Sequence, residues 1–387
     1  MGKPKQHGNG SGTVYPRRNK AGKIIGYRGA YFGPDGKRRY VSAKTKTGAQ
    51  RALRKALADA DRGLLFDAGN LTLGEYLDRW LSDCLEPLVQ SGKMEYSTFV
   101  RYAGIVRNHI SPELGKRKLR ELSRAEIRGL YAAKARELSS RSVDYIHVTL
   151  QKALSQAVRD DLIPRNVAQG ERPRSSRNRK EVRALSPKQA QELLEAARGT
   201  RNEALYVVAL HTGLRQGELL GLKWSDVDLE AGKLFVRRSL KVTKNGLGFG
   251  PPKNKASRRS VPLNKTALAA LRAHKTRQSK ERLRLGSLWQ DLDLVFPSRT
   301  GGPMDHNNLY EREYRALLKK ANLDGQGFTF HALRHSFATA LFMRGKHPKV
   351  VQSLLGHSSI TQTMDTYSHL MGGVGDDAVE DLDEAFG

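Results

Sequence analysis

The chain is poor in cysteine and contains no long apolar run. Cys84 is its one cysteine among 387 residues, which excludes an intramolecular disulfide and a cysteine-based zinc site and favours a reducing compartment. The longest apolar stretch, near 204–214, is far shorter than the roughly 18 residues that a membrane-spanning helix needs. Residues 1–12 are polar and rich in Gly and Lys, so we expect no secretory signal. These absences predict a cytoplasmic protein with no membrane partner.

Acidic residues are also scarce beside basic ones. The chain has 68 Lys and Arg against 39 Asp and Glu, a formal net charge of +29. An excess of this size predicts a polyanionic partner, for which nucleic acid is the leading choice. Binding to an acidic lipid surface would favour one amphipathic helix that carries most of the charge, whereas here the basic residues are spread along the whole chain.

Residues 1–64 predict a small basic domain. Three strand-like runs separated by turn-prone residues precede one helical run, which predicts a three-stranded sheet with a helix. The runs cover 13–15, 24–32, 38–42 and, for the helix, about 47–62. Residues 1–12 have the composition of a disordered segment. The high charge density favours DNA or RNA binding, and the basic candidates are Arg17, Arg18, Lys20, Lys37, Arg38 and Arg39.

The middle of the chain predicts a helical domain and a linker. Residues 70–168 have apolar side chains at helical spacing, and Thr72 with Glu75 forms a capping-box pattern at the start of the first helix. Residues 169–183 are basic, polar and poor in apolar side chains, which is typical of a linker. This segment can lie along DNA phosphates through Arg172, Arg174, Arg177, Arg179 and Lys180.

The last two segments differ sharply in charge. Residues 184–371 predict a mixed, mostly helical domain, and its strand-like runs at 233–243 and 260–263 predict a small antiparallel sheet. Residues 372–387 hold six acids and no base, which is typical of an acidic tail. Taken together, the segments predict an α+β fold that is mainly α.

Four short segments of the domain at 184–371 carry residues suited to chemistry on a phosphate. Each is a weak signal when it is considered alone, and the first two have ordinary structural interpretations, as a turn into a helix with an Arg–Glu surface pair and as a basic hairpin loop. The segments are 212–222 with Arg215 and Glu218, 251–263 with Lys253 and Lys255, 331–335 with His331 and Arg334, and 354–360 with His357, followed by Tyr367.

The two histidines of 331–335 do not predict a metal site. His331 and His335 are four residues apart and share a helix face, but Ala332 stands where the zinc-protease motif has a Glu. No third ligand is evident in the sequence. We therefore expect no metal at this position.

In this order and with these spacings, the four segments resemble the signature of the tyrosine recombinase (phage integrase) family. That signature contains an Arg within T-G-L-R-x-x-E-L, a Lys in a β-hairpin, H-x-x-R, G-H-x-S and a Tyr about ten residues further on. The resemblance covers residues 184–371. Residues 70–168 look like the family's core-binding domain, and residues 1–64 look like the arm-type DNA-binding module of some phage and conjugative-element integrases.

The resemblance implies roles in proton transfer and attack. Tyr367 matches the family's nucleophile, and His357 stands at the position of the group that assists removal of its proton. Since a free tyrosine has a pKa near ~10, it needs such help at neutral pH. Lys253 would protonate the departing 5′ oxygen, and Lys255 is its rival because the loop offers two lysines two residues apart.

The resemblance also implies a set of phosphate ligands. Arg215 and Arg334 would hold the two non-bridging oxygens, because a planar guanidinium suits this task better than an ammonium group. His331 would donate a third hydrogen bond. Glu218 would orient the active-site cations without touching the substrate.

The implied reaction is a transesterification that needs no metal, ATP or cofactor. Tyr367 becomes linked to a 3′ phosphate and releases a 5′ hydroxyl, and the 5′ hydroxyl of a partner strand then reverses the attack. The family works as a tetramer on two DNA duplexes through a Holliday junction. We expect double-stranded DNA with core-type and arm-type attachment sites in a bacterial cell. A host DNA-bending protein and a directionality factor are further candidate partners, and the sequence leaves open whether this chain needs them.

Three alternatives stay open at this point. A transposon-type integrase and a type IB topoisomerase share the chemistry, but a topoisomerase relaxes supercoils without pairing two sites. A non-catalytic DNA-binding protein is the alternative of another class. The Tyr367→Phe variant separates it from a recombinase, because only a recombinase loses strand transfer. The acidic tail could dock on a neighbouring subunit and regulate cleavage.

Overall fold

The computed structural model describes residues 12–19, 21–32, 38–61, 70–173, 183–252 and 255–367. The chain forms two compact units, residues 1–178 and 179–387. Most of the predicted disordered start, residues 174–182 of the predicted linker and the whole acidic tail lie outside the described residues. Among the residues that are described, no helix is both long and apolar enough to cross a membrane.

The first unit begins with a three-stranded antiparallel sheet and one helix, as predicted. β2 lies in the centre and pairs with β1 and β3, and α1 packs against the sheet through Ala49 and Leu53, which are buried. The helix begins one residue before the predicted start, and the Thr45 hydroxyl accepts a hydrogen bond from the Gly48 amide at 3.0 Å. The elements are β1 (Thr13–Arg18), β2 (Ile24–Phe32), β3 (Arg38–Ala43) and α1 (Lys46–Asp61).

A helical domain follows in the same unit. Thr72 and Glu75 form the predicted capping box, and Ser123 forms a second one at the start of α6. The long helix α7 buries one complete face, which includes Ile146 and Leu150. The helices are α2 (Leu73–Arg79), α3 (Glu86–Gln90), α4 (Tyr96–Ile105), α5 (Ser111–Leu114), α6 (Arg124–Glu137) and α7 (Ser140–Arg159), with π-helical turns at Trp80–Leu85 and Val106–Ile110.

The second unit is built around α9, whose residues from Ala204 to Leu210 are all buried. α9 packs against α8, α11 and α14, so it is surrounded by protein as a fully apolar helix requires. The helices are α8 (Pro187–Ala197), α9 (Glu203–Thr212), α10 (Gln216–Leu220), α11 (Lys265–Leu285), α12 (His306–Asn308), α13 (Arg315–Lys320), α14 (His331–Phe342), α15 (Pro348–Leu355) and α16 (Ile360–Tyr367).

The strands of this unit form two small antiparallel sheets. One has the order β4-β5-β8 and the other pairs β6 with β7. The run at 233–243, expected as one strand, forms two strands with Arg237 and Arg238 between them, and both of these side chains form ion pairs with the buried carboxylate of Asp226. The strands are β4 (Val227–Asp228), β5 (Lys233–Val236), β6 (Ser239–Thr243), β7 (Gly246–Gly250) and β8 (Arg259–Pro262).

Candidate active site

Two glycine turns shape the site. Gly213 ends α9 with φ of 62°, and Gly356 ends α15 with φ of 65°, a left-handed conformation that favours glycine. A Cβ atom on Gly213 would lie 2.4 Å from a ring carbon of Phe337, so this position also lacks space for any side chain. The first turn leads directly to Arg215 and the second to His357.

Three guanidinium groups converge on the C-terminal end of α15. The last carbonyl groups of a helix lack intrahelical partners and form the negative end of its dipole, so they attract cations. Here three arginines each donate to one of three consecutive carbonyl oxygens. The pairs are Arg259 Nε with Leu354 (2.6 Å), Arg334 Nη2 with Leu355 (2.7 Å) and Arg215 Nη2 with Gly356 (3.2 Å).

Glu218 supplies the negative side chain among these cations. Its carboxylate accepts from Arg215 Nη1 at 2.8 Å and from Arg259 Nη2 at 3.0 Å, and its side chain is 2% exposed. Burial by itself would raise the pKa of Glu218, but the charges of Arg259 and Arg215 overcome that effect and lower the pKa below its usual value. Glu218 is therefore ionised, and it offsets part of the repulsion between the arginines.

Arg334 is the most enclosed of the predicted phosphate ligands. Its Nη1 donates to Gly213 O at 2.7 Å, so the side chain joins both glycine turns. Burial, followed by the charge of Arg215, lowers the pKa of Arg334 to about 9, and the group stays positive at neutral pH. The side chain of Arg215 is 27% exposed, which makes it the more accessible guanidinium.

The predicted histidines lie on two neighbouring elements. His331 is the first residue of α14 and is exposed, one helical turn before Arg334. His357 follows the Gly356 turn, is buried, and its Nδ1 lies 2.8 Å from Thr363 Oγ1. Burial and the charge of Arg334 lower the pKa of His357 to about 4, so its ring is neutral at pH 7.

Tyr367 ends α16 and points into the protein. It is 2% exposed, and its ring packs against Phe342 with 5.4 Å between ring centroids. Its hydroxyl lies 2.5 Å from Nδ1 of His335, a residue that the sequence analysis considered only as a metal ligand. Burial raises the pKa of Tyr367 and lowers that of His335 to about 3, so both groups are neutral in this arrangement and the tyrosine donates the hydrogen bond.

Two site residues were therefore missed in the sequence. His335 follows Arg334 directly in the motif and faces His331, with 4.6 Å between the ring centroids. Arg259 follows Arg258 in the basic loop segment, and the sequence does not show which of these two arginines is buried. The local sequence signals were the i,i+4 spacing of the histidines and the strand-like run at 260–263, which places Arg259 at the edge of a strand.

The lysine loop is described in part. Lys253 lies outside the described residues, as does the side chain of Lys255, whose backbone belongs to a short 3₁₀ turn at Lys255–Ser257. The buried hydroxyl of Ser257 accepts a hydrogen bond from Arg215 Nη1 at 3.3 Å. The structure therefore places the end of this loop directly beside Arg215. The choice between Lys253 and Lys255 as the general acid stays a prediction.

Five of the predicted DNA-binding residues are described, and all five lie in the first unit. Arg17 and Arg18 are in β1, and Arg38 and Arg39 are in β3; Arg18 donates to Gly22 O at 2.8 Å and Arg38 lies over the ring of Tyr40. Arg172 pairs with Asp144 at 2.8 Å, so the first residues of the predicted linker are attached to the helical domain. The others lie outside the described residues, namely Lys20, Lys37, Arg174, Arg177, Arg179 and Lys180.

The described part of the chain holds no group of three or more His, Cys, Asp or Glu side chains placed to bind a metal ion. The positive charges of the pocket are guanidinium groups, which bind phosphate directly through paired N–H donors. The arrangement brings Arg215, Arg334 and His357 to the two glycine turns and Tyr367 to the neighbouring helix α14.

Comparison with known families gives two matches. Residues 183–372 match the Phage integrase family, and residues 72–134 match the N-terminal SAM-like domain of phage integrases. A tyrosine recombinase XerC-like protein of Caldanaerobacter subterraneus subsp. tengcongensis is 33% identical over 97% of this chain and 95% of its own length. An integrase of Streptomyces ambofaciens is 34% identical over 87% of this chain and 86% of its own length.

Comparison with solved structures shows the same fold. The integrase of the transposon Tn1549, determined in complex with a circular intermediate DNA, superposes with a TM-score of 0.65. The superposition covers 81% of this chain and 99% of that one at 22% sequence identity.

Proposed function

The chain belongs to the tyrosine recombinase (phage integrase) family, and we propose that it integrates a phage or other mobile element at specific attachment sites in DNA. Members of this family are site-specific DNA recombinases, and the chain is an enzyme of DNA recombination. The observation that carries the proposal is the pocket at the end of α15. It gathers Arg215 and Arg334 beside a buried Tyr367.

The pocket suits a phosphodiester because its guanidinium groups are already assembled. In this structure the carbonyl oxygens of Leu355 and Gly356 accept hydrogen bonds from Arg334 and Arg215, in the way that phosphate oxygens would. Donors that are arranged before the substrate arrives need little reorganisation in the transition state. Arg215 is the guanidinium that an incoming phosphate meets first, since it is more exposed than Arg334.

We assign the bond changes as follows. The Tyr367 oxygen attacks the scissile phosphorus, the bond from phosphorus to the 5′ oxygen breaks, and a 3′-phosphotyrosine forms. The tyrosine proton passes to an imidazole, for which His335 touches the hydroxyl in this structure and His357 stands at the family's motif position. Lys253 or Lys255 gives the leaving 5′ oxygen its proton. The 5′ hydroxyl of a partner strand reverses each step, so the reaction consumes no cofactor.

The rest of the chain supports binding to double-stranded DNA. We assign core-type sites to the helical domain at 70–168, arm-type sites to the basic domain at 1–64, and phosphate contacts to the linker at 169–183. The net charge of +29 and the DNA complex of the Tn1549 integrase support this assignment. The catalytic domain is assigned to 184–371 and the acidic tail to 372–387. The active assembly is a homotetramer on two duplexes.

The cellular setting is also part of the proposal. The two relatives named above come from bacteria, which supports a bacterial host and a reaction on DNA in its cytoplasm. A host DNA-bending protein and a directionality factor would control whether the element integrates or is excised. Adding such factors should change the direction of recombination without changing which residue forms the covalent link.

A covalent trap tests the proposal. Wild type, Tyr367→Phe and the control Tyr310→Phe are mixed with nicked duplexes that cover the junctions of an element with its host. Each mixture is then denatured, and protein-linked DNA is sequenced. We expect 3′-linked ends with wild type and Tyr310→Phe, and none with Tyr367→Phe, which should still bind DNA. Linked 3′ ends from Tyr367→Phe would refute the role of Tyr367. Relaxation of a plasmid without joining of two sites would instead identify a topoisomerase.

A further inference from the structure

Arg259 lies at the start of β8 and has no place in the assigned chemistry, yet its side chain is only 6% exposed. All three of its nitrogen atoms donate hydrogen bonds. The acceptors are Leu354 O for Nε (2.6 Å), Ser257 O (3.0 Å) and Glu218 Oε1 (3.4 Å) for Nη1, and Glu218 Oε2 for Nη2 (3.0 Å). Arg259 therefore connects the lysine loop, the carboxylate beside Arg215 and the end of α15.

The division of the Glu218 carboxylate is the informative feature. A carboxylate can accept two parallel hydrogen bonds from one guanidinium, which is the strongest pairing available to it. Here Oε1 accepts from Arg215 Nη1 at 2.8 Å and, at the longer distance of 3.4 Å, from Arg259 Nη1. Oε2 accepts from Arg259 Nη2 and from the Arg215 backbone amide, both at 3.0 Å. Arg259 therefore contacts both carboxylate oxygens, while the Arg215 side chain contacts Glu218 through Nη1.

The Gly356 turn supplies a second, independent observation. A Cβ atom at Gly356 would lie 2.9 Å from Arg259 Nη1 and 3.0 Å from Ala256 O. The turn thus accommodates the Arg259 guanidinium closely, and the same turn holds the Gly356 carbonyl that accepts from Arg215 at 3.2 Å. Its next residue is His357, so a movement of Arg259 would displace both Arg215, a predicted phosphate ligand, and His357, the predicted aid to proton removal.

We propose that Arg259 is a positioning residue of the recombination reaction. It shares Glu218 with Arg215, which leaves Arg215 free to bind the scissile phosphate, and it fixes the turn that carries His357. This inference rests on the proposed function. Without Arg259, the buried Glu218 charge is left to Arg215 alone, and the two side chains form a closed pair that competes with the phosphate.

The test is a double-mutant cycle on single-turnover cleavage of a nicked duplex at saturating DNA. We expect Arg259→Met to slow cleavage by about 10–100-fold, somewhat less than removal of a direct oxyanion donor. The dissociation constant for DNA should stay within about threefold. Arg259→Met combined with Glu218→Gln should recover at least about fivefold of the lost rate, because the unbalanced carboxylate is then absent. The control is Arg315→Met, which removes a surface pair with Glu311 in the same unit.

A purely structural role for Arg259 gives a different pattern. The double variant would then be as slow as Arg259→Met or slower, and that result would overturn the proposal, as would a wild-type rate for folded Arg259→Met. If Arg259→Met does not fold, Arg259→Lys is measured instead, because lysine keeps the positive charge but lacks the three nitrogen donors of the guanidinium group. Cleavage by Arg259→Lys that is at least about fivefold slower than wild type supports the proposal, and a wild-type rate refutes it. Failure of the wild type to form any covalent link refutes the proposed function instead.

Discussion

The helical domain of the first unit differs in its charged side chains from the second unit, which holds the candidate active site and is called the catalytic unit below. In the helical domain, the largest fully buried side chains are aliphatic, and ion pairs such as Arg117–Glu126 and Lys134–Glu113 have one largely exposed partner. In the catalytic unit, the Arg259–Glu218 pair has side chains that are 6% and 2% exposed.

This difference in the burial of charged side chains indicates where the functional site lies. Removing charges from water is costly, and a buried ion pair is often no more stabilising than well-packed apolar residues. The helical domain avoids this desolvation cost, because its core is built from packed aliphatic side chains. The catalytic unit accepts the cost at one place, the end of α15, where the helix dipole and Glu218 hold three guanidinium groups for an anionic substrate.

The largest effect should follow removal of a charge from the pocket. Arg334→Met is expected to slow single-turnover cleavage by about 10²–10³-fold, the usual loss for one oxyanion donor. It also leaves Gly213 O and Leu355 O without their donors, so the melting temperature should fall. A nicked-duplex cleavage assay at saturating DNA measures the rate. Arg344→Met, at an exposed position after α14, serves as the control, and an equal loss with that variant would contradict the assignment.

Acid should weaken the catalytic unit by a smaller amount. The pKa of His357 is about 4 in the folded state, whereas an unfolded histidine titrates near ~6.5. Below pH ~6.5 the unfolded chain therefore binds a proton that the folded chain does not, so stability falls as the pH drops from about 7 towards 4 and is unaffected by His357 above 7. At pH 5 the loss from His357 is up to about 2 kcal/mol.

Tryptophan fluorescence can assign this loss to one unit. A Trp80→Phe variant leaves Trp224 and Trp289, which both lie in the second unit. Urea unfolding of that variant at pH 7.5 and pH 5 should show the loss, and adding His357→Gln should reduce it. The same stability at both pH values would contradict a neutral, buried His357.

The smallest effect should come from a mild change in the helical core. Ile146→Val removes one methylene group from a fully buried position and is expected to lower the free energy of unfolding by about 0.5–1.5 kcal/mol. Cleavage at saturating DNA should be unchanged, because the helical domain supplies no group to the reacting atoms. Val100→Ala, at a 46% exposed position, is the surface control and should change stability by less than about 0.5 kcal/mol. A rate loss with Ile146→Val would remove the distinction between the regions.

The sequence predicted the elements whose signals are local. Capping at Thr72 and the three-stranded sheet with its helix were predicted correctly, because caps, turns and periodicity depend on neighbouring residues. The break at Arg237 and Arg238 was not predicted, because the partner of both side chains, Asp226, lies outside the strand-like run.

In the candidate site, too, the sequence predicted local motifs but not contacts between distant residues. The motifs pointed to Arg215, Glu218 and Arg334, but no motif told which buried partners hold them. Arg259 and His335 were missed because their importance comes from contacts with Glu218 and Tyr367, which are 41 and 32 residues away. Such pairings depend on how helices and strands meet, and one sequence alone does not contain that information.

The most direct test of the account uses a nicked duplex whose scissile phosphate is replaced by an uncharged methylphosphonate. If the buried guanidinium groups serve to neutralise the phosphate, Arg334→Met should cleave this substrate at close to the wild-type rate, although it is about 10²–10³-fold slower on ordinary DNA. Tyr367→Phe should cleave neither substrate. An Arg334→Met defect of the same size on both substrates would contradict the account, because the charges at the end of α15 would then serve the fold and not the reaction.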